Sequence, residues 1–351
     1  MPNITTAEAL SEYLSNTPYA PRDITVLNGG HANITWRVTL PDNSTLIVKH
    51  AQSYAAAFPS MVIDVNRMDA EVASMRALQR ANKEFQQLPI PTLIPKIIEY
   101  YQDEHLMLVE DFGEKCCTLK GFISEGRIHS DQVEVVGRTL SLFLEKLYQS
   151  AKSDESLQKI ARDHLWAKDS SAHREHGQLN DVTTNSPEEK QDLLAAGKYM
   201  IERIGKDAGQ LVMGDFWTGN ILLRTSDDDR IVGLAVVDWE MIHYGPLSVE
   251  LGQMCAEMFL LHHFKGASFN LLHSFLNPHF PSGNISDNQQ LAREMIIQMG
   301  AHLSVWPRYV PWGTEEQMEQ CKKIGLNLIL WGWREEWKQV QEFFFPQSNR
   351  S

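Results

Sequence analysis

The 351 residues carry 32 Lys and Arg against 45 Asp and Glu, a formal net charge of -13. That balance argues against a sequence-independent grip on nucleic acid or on an anionic membrane surface. A 43% hydrophobic and 22% charged composition is that of an ordinary globular chain, long enough for two lobes. Cys116, Cys117, Cys255 and Cys321 form no CxxC pair and are too sparse for a disulfide scaffold, which fits a reducing compartment. The opening MPNITTAEALSEYL has no basic-then-apolar leader, and no stretch approaches the roughly 18 apolar residues of a membrane span. The expected location is the cytoplasm, with no membrane partner.

In chain order, ITVLN, ITWRVTL and TLIVKHA read as three strands of an antiparallel meander, rich in β-branched residues and separated by GGHAN and PDNS. The two-residue period of a strand places Ile47 and Lys49 on one face and Leu46, Val48 and His50 on the other. RMDAEVASMRALQRA, 67–81, aligns Met68, Val72, Met75 and Leu78 along one helical stripe with Glu71 beside it. Prolines 89, 91 and 95 interrupt the chain, and KIIEYY and LMLVE then read as two further strands around QDEH. EDFGEK follows as a crossing segment. Five strands and one helix make a small α+β unit over 1–111.

From 112 to 351 helical patterns dominate. They are DQVEVVGRTLSLFLEKLYQ, EEKQDLLAAGKYMIERIG, ELGQMCAEMFLLHHF, NQQLAREMIIQMGAHL and EEQMEQCKKIGLNLILWGWREEWKQ. The exception is a hairpin of NILLR and IVGLAVVDWE around TSDDDR. The polar stretch 169–189 reads as a loop or a ragged helical connection.

Phosphoryl transfer needs a group on the attacking hydroxyl, ligands for Mg²⁺, a cation on the nucleotide phosphates and a flexible cover over them. One candidate for each occurs in order: Gly29 and Gly30 in the first turn, Lys49 on the third strand, Glu71 on the helix, then Asp215, Asn220 and Asp238. In GDFWTGN, Asp215 precedes Asn220 by the five positions that separate the catalytic aspartate and the metal-binding asparagine of a kinase catalytic loop. Asp64 and Asp69 rival Glu71 as the partner of Lys49.

These segments together resemble the aminoglycoside phosphotransferase and choline kinase group within the protein-kinase-like fold. The resemblance rests on GGHAN (29–33), IVKH (47–50), RMDAE (67–71), VEDFG (109–113), MGDFWTGN (213–220) and VDWE (237–240), in the group's order. DWEMIHYGPLSVELG is similar to the corresponding segment of methylthioribose kinases. The resemblance implies a two-lobed fold with a five-stranded antiparallel N-terminal lobe, and an ATP-dependent small-molecule kinase. It implies Asp215 as the base or hydroxyl-orienting carboxylate, with Asn220, Asp238 and Glu240 on Mg²⁺. Lys49 would meet the ATP phosphates while paired to Glu71, under a loop of Gly29, Gly30 and Asn33, and the backbone from Glu110 to Phe112 would meet adenine. Met213 stands where the group generally has histidine, Glu250 where an aspartate braces the catalytic loop, and Tyr148 where histidine is frequent.

The acceptor stays open between a sugar, an aminoglycoside and a choline-like amino alcohol, and Met213 and Glu250 leave a nucleotide-binding scaffold as the non-enzymatic alternative. A sugar or anionic acceptor calls for Arg308 or Arg334 near Asp215; a cationic one calls for carboxylates or an aromatic cage. His262 and His263 are adjacent, and HREH (173–176) lacks a further ligand, so these read as structural histidines. Trp306, Trp312, Trp331, Trp333 and Trp337 read as helical core, some of it able to line an acceptor pocket.

Overall fold

The computed structural model describes residues 4–27, 30, 32–206, 209–310 and 312–345. A five-stranded antiparallel sheet forms from Asp23–Leu27, Asn33–Thr39, Thr45–Ala51, Leu106–Glu110 and Ile97–Tyr101, adjacent in that order. The strand period acts as expected in Thr45–Ala51. Leu46 and Val48 bury into a cluster with Trp36, Val38, Leu106 and Leu108, while Ile47 and Lys49 face the opposite side.

A helix over Ala7–Leu14, which the sequence reading did not assign, covers the first face with Leu10 and Leu14. Its signals were present: Thr6 Oγ1 accepts the Ala9 N–H at 3.2 Å, and the two leucines stand at i and i+4. A short hairpin, Tyr54–Ala55 with Phe58–Val62, is a further element beyond those expected. The other face of the sheet packs on the helix Arg67–Leu78, whose buried side includes the expected Met68, Val72, Met75 and Leu78.

The remainder is mostly helical, with long helices at Val133–Lys152, Pro187–Gly205, Leu247–Lys265, Gln289–Val305 and Glu315–Arg334. The last run is shorter than its periodicity suggested. Glu335 takes a left-handed conformation (φ 58°) that ends the helix, and Trp337–Phe344 starts another. Of the two expectations for the polar stretch after 169, the ragged helical connection is the one found, holding the end of the helix Leu165–His173 and a 3₁₀ segment over His176–Asp181. Among the described residues, no helix is long and apolar enough to cross a membrane.

Within the helical part, the expected hairpin pairs Ile221–Thr225 with Ile231–Val236. Beside it, Gln210–Val212 pairs with His243–Gly245. Residues 213–220 and 237–242 are therefore neighbouring loops, and the Val237 N–H donates to the Asn220 carbonyl at 3.0 Å. Beneath them Phe143 stacks on Phe216 (5.9 Å) and meets Trp239 edge-on (6.4 Å), and both loop residues are fully buried. Apolar anchors of this size, each worth about 3–5 kcal/mol on truncation, pin the two loops to the helical core.

Candidate active site

Between the sheet and the helical part lies a cleft of about 670 Å³, lined by Gly30, Asn33, Lys49, Glu71, Glu110, Phe112, Asp215, Asn220, Asp238 and Glu240 among others. All of the site residues named from the sequence thus converge except Gly29, which lies outside the described residues.

Lys49 Nζ donates to Glu71 Oε1 and to Asp238 Oδ1, both at 2.7 Å. Burial alone would lower the pKa of this ammonium, but Asp238, Glu71 and Glu240 override it and the pKa lies above the usual lysine value. Glu71, not Asp64 or Asp69, is the helix carboxylate in contact: Asp69 accepts from the Tyr100 hydroxyl and Asp64 from the Asn66 N–H. Asp238 itself sits at φ 70°, a left-handed conformation uncommon for a residue with a side chain and frequent where strain serves a site.

Asp215 accepts four hydrogen bonds. Oδ1 receives Gln253 Nε2 (2.7 Å) and Arg174 Nη1 (3.1 Å), while Oδ2 receives Asn220 Nδ2 (3.0 Å) and Trp217 Nε1 (3.2 Å). The carboxylate is therefore held in one orientation at the cleft. Asn220 also donates Nδ2 to the Asp215 carbonyl (3.0 Å), so Oδ1 is the atom it keeps for another ligand.

Oxygen atoms of Glu71, Asp238 and Glu240 lie within 4.8 Å of one another, and Glu71 Oε2 is buried without a hydrogen bond. Such a hard-oxygen set, with Asn220 nearby in the cleft, suits a divalent cation. Glu240 is the most constrained member: Oε2 accepts Asn33 Nδ2 (2.7 Å) and Arg67 Nε (3.0 Å), and Arg67 also donates to Asn33 Oδ1 (2.8 Å). Burial and the neighbouring Asp238 charge push the Glu240 pKa up to about 7. Asn33 thus ties the start of the second strand to the loop after 236 with its side chain, and the clamp uses Glu240 Oε2, not Oε1.

At the other end of the cleft, two backbone groups in the crossing segment are already engaged. The Glu110 N–H donates to Lys96, and the Phe112 carbonyl accepts from Arg224, whose guanidinium also lies 4.4 Å from the Phe112 ring centroid. Arg37 clasps Asp111 with two bonds, at 2.6 and 3.1 Å. Burial would raise the Asp111 pKa, but Arg37 and the Gly113 N–H hold it below the usual carboxylate range.

The glutamate at 250 leaves the 213–220 loop braced. Glu250 Oε1 accepts the Gly214 N–H at 2.7 Å, so the longer side chain reaches. Gly214 has φ 80°, and a Cβ there would come within 2.2 Å of the Met241 carbonyl. Burial, reinforced by Asp215, raises the Glu250 pKa to about 7. Glu250→Ala strands a buried N–H and is expected to cost about 1–3 kcal/mol in denaturant unfolding, whereas Glu250→Gln keeps an oxygen in place and most of the stability. An alanine variant as stable as the wild type would dismiss the bracing role.

Several site residues had no local signal. Arg174 follows the helix Leu165–His173, Gln253 and Glu257 share the helix Leu247–Lys265 and Lys120 lies in Leu119–Ser124; only the tertiary fold brings Arg174 and Gln253 onto Asp215 and sets Lys120, with Glu257 against it, in the same cleft. Arg308 and Arg334, suggested as anion partners near Asp215, instead pair with Asp181 (3.5 Å) and Asp192 (2.7 Å); neither lines the cleft. The arginine beside Asp215 is Arg174, in the HREH segment. Next to it Glu175 is fully buried and binds His302 Nδ1 (3.0 Å), and His302 Nε2 meets Glu257 Oε1 (3.1 Å). Burial opposes the His302 charge, but the two carboxylates hold its pKa up to about 9.

Residues 23–271 match the model of a phosphotransferase enzyme family. The chain belongs to that family. It is a small-molecule phosphotransferase. It is similar to the 4-hydroxytryptamine kinase of Psilocybe cyanescens, 23% identical over 337 residues that span 93% of this chain and 92% of the relative. The 4-hydroxytryptamine kinase of Psilocybe cubensis is 22% identical over 314 residues, 86% and 84% of the two chains. In fold, the phosphotransferase resembles a microcompartment-associated aminopropanol kinase (TM-score 0.56, 12% identity, 96% of this chain and 98% of that one). It also resembles the amicoumacin kinase hAmiN (TM-score 0.51, 11% identity, 92% of each chain).

Proposed function

We propose that this phosphotransferase moves the γ-phosphate of ATP to a hydroxyl of a small acceptor seated beside Asp215. The observation that carries the reading is one cleft holding both Asp215, fixed by four donors, and the Lys49–Glu71–Asp238 cluster. The apolar walls of that cleft, Ile47, Val109, Phe112 and Leu222, suit a flat adenine ring. Lys49 would meet the phosphates from the sheet side. Mg²⁺, held by Asn220 Oδ1 and Asp238 with Glu240 adjacent, would neutralise charge on the phosphate oxygens. Asp215 orients the acceptor hydroxyl and takes its proton, and positioning supplies most of the rate.

The names of the two fungal relatives support a small hydroxylated metabolite as acceptor. The Glu250–Gly214 bond supports an assembled catalytic loop over a nucleotide-binding scaffold. The test incubates purified protein with ATP, Mg²⁺ and a panel of hydroxytryptamines, amino alcohols, aminoglycosides and sugars, and reads the mass of one added phosphate. One phosphorylated acceptor is expected. Absence of transfer across the panel, together with no thermal stabilisation by ATP and Mg²⁺, would overturn the proposal.

A further inference from the structure

Behind Asp215 a run of buried charges leads away from the cleft. Arg174 gives Nη1 to Asp215 Oδ1 (3.1 Å) and Nη2 to the Gly214 carbonyl (3.2 Å) and Gln253 Oε1 (2.9 Å). Its Nε makes no hydrogen bond and lies 3.7 Å from Glu175 Oε1. Glu175 is fully buried, and its oxygens accept from Trp306 Nε1 (2.7 Å), His302 Nδ1 (3.0 Å) and Gln298 Nε2. On its other side His302 Nε2 meets Glu257 Oε1 (3.1 Å), and Glu257 Oε2 lies 3.5 Å from Lys120 Nζ.

The geometry sets the charge on His302. A carboxylate only accepts, and a neutral imidazole has one N–H to give, so a ring with a carboxylate on each nitrogen carries both protons. Along the run, Asp215, Glu175 and Glu257 are then balanced by Arg174, His302 and Lys120. Burial works against the Glu175 charge, but His302 and then Arg174 hold its pKa down at about 2. A neutral side chain at 302 would leave Glu175 with Arg174 as its cation, and a buried carboxylate deprived of a partner is strongly unfavourable. The short route to relief is for the guanidinium to turn from Asp215 toward Glu175.

We infer that His302 is a positioning residue for Asp215: its charge satisfies Glu175 and so keeps Arg174 on the carboxylate that orients the acceptor hydroxyl. The inference rests on the kinase reading above for what that carboxylate does. His302 does not line the cleft and acts through Glu175 and Arg174. It stands on the helix Gln289–Val305, beyond the residues 23–271 that match the family model, so the C-terminal helices of this chain support its reacting centre from behind. The Lys49 contacts with Glu71 and Asp238 are separate from this run, which confines the effect to turnover.

The test combines ¹⁵N spectra of the full chain with phosphate transfer from ATP and Mg²⁺ to the acceptor panel above. Both ring nitrogens of His302 are expected to be protonated at pH 8. The indole N–H of Trp217, which donates to Asp215 Oδ2 (3.2 Å), reports the carboxylate. His302→Gln is expected to shift that indole signal and to lower turnover about tenfold, with the Michaelis constant for ATP unchanged. Adding Glu175→Gln removes the competing carboxylate and is expected to return the signal and most of the turnover. Trp306→Phe, which takes one donor from Glu175 at a partly exposed position, is expected to move the signal the same way and serves if His302→Gln does not fold. A neutral imidazole at 302, an indole signal unmoved by either single variant, or a double variant no better than His302→Gln overturns the inference. Indole responses as expected in a protein that transfers no phosphate across the panel reject the kinase reading and leave the positioning standing; transfer with an unmoved indole signal rejects the positioning alone.

Discussion

Asp215→Asn is expected to lower turnover about 10²- to 10⁴-fold, the range associated with a positioned acid or base, while leaving the Michaelis constant for ATP close to that of the wild type. The contacts proposed for the nucleotide side, Lys49 with Glu71 and Asp238, do not involve Asp215. The four donors around the carboxylate predict a second, smaller effect. An amide at 215 places one NH₂ among Arg174, Gln253, Trp217 and Asn220, all of them donors, so the variant should lose about 1–3 kcal/mol of stability. Steady-state rates and unfolding curves on one preparation distinguish the two effects. Turnover retained within a few-fold of the wild type would remove Asp215 from the reaction.

Asp238→Asn is expected to reduce turnover by at least about 10²-fold and to abolish the contribution of Mg²⁺ to stabilisation by ATP. Asparagine is the informative replacement because residue 238 has φ 70°, a conformation that asparagine tolerates well. The change removes a charge without adding backbone strain, which alanine would. It also turns one of the two ion pairs of Lys49 into a neutral contact at most, while Glu71 stays at 2.7 Å. Melting curves with ATP, with and without Mg²⁺, read the binding term by mass action, where ligand at 100 times its dissociation constant adds about 2.7 kcal/mol. If Mg²⁺ still augments the effect of ATP in the variant, Asp238 is not the metal-side carboxylate.

Much of the local geometry around these two residues was readable in advance, because it depends on short-range periods. Alternation in TLIVKHA aims Lys49 at the cleft, and the helical stripe of 67–78 buries as its spacing requires. The hairpin that follows Asn220 sets Asp238 beside the 213–220 loop. Where reading failed, the reasons are local too. Thr6 with the leucines at 10 and 14 makes a capped helix too short to show a long period, and Glu335 stops a helix whose residue periodicity continues.

Chain order, strand alternation and the Asp215–Asn220 spacing therefore determine the family, the sheet and which groups meet in the cleft, since each is encoded within a few neighbouring residues. The tertiary structure alone decided how those groups are held. Arg174 and Gln253 reach Asp215 from 41 and 38 positions away, and Arg67 joins Glu240 across 173. Trp312 and Glu257 close on Lys120 in the same long-range way. Hydrogen bonds and ion pairs act over about 3 Å of space whatever the separation in sequence, and leave no period in the chain to read.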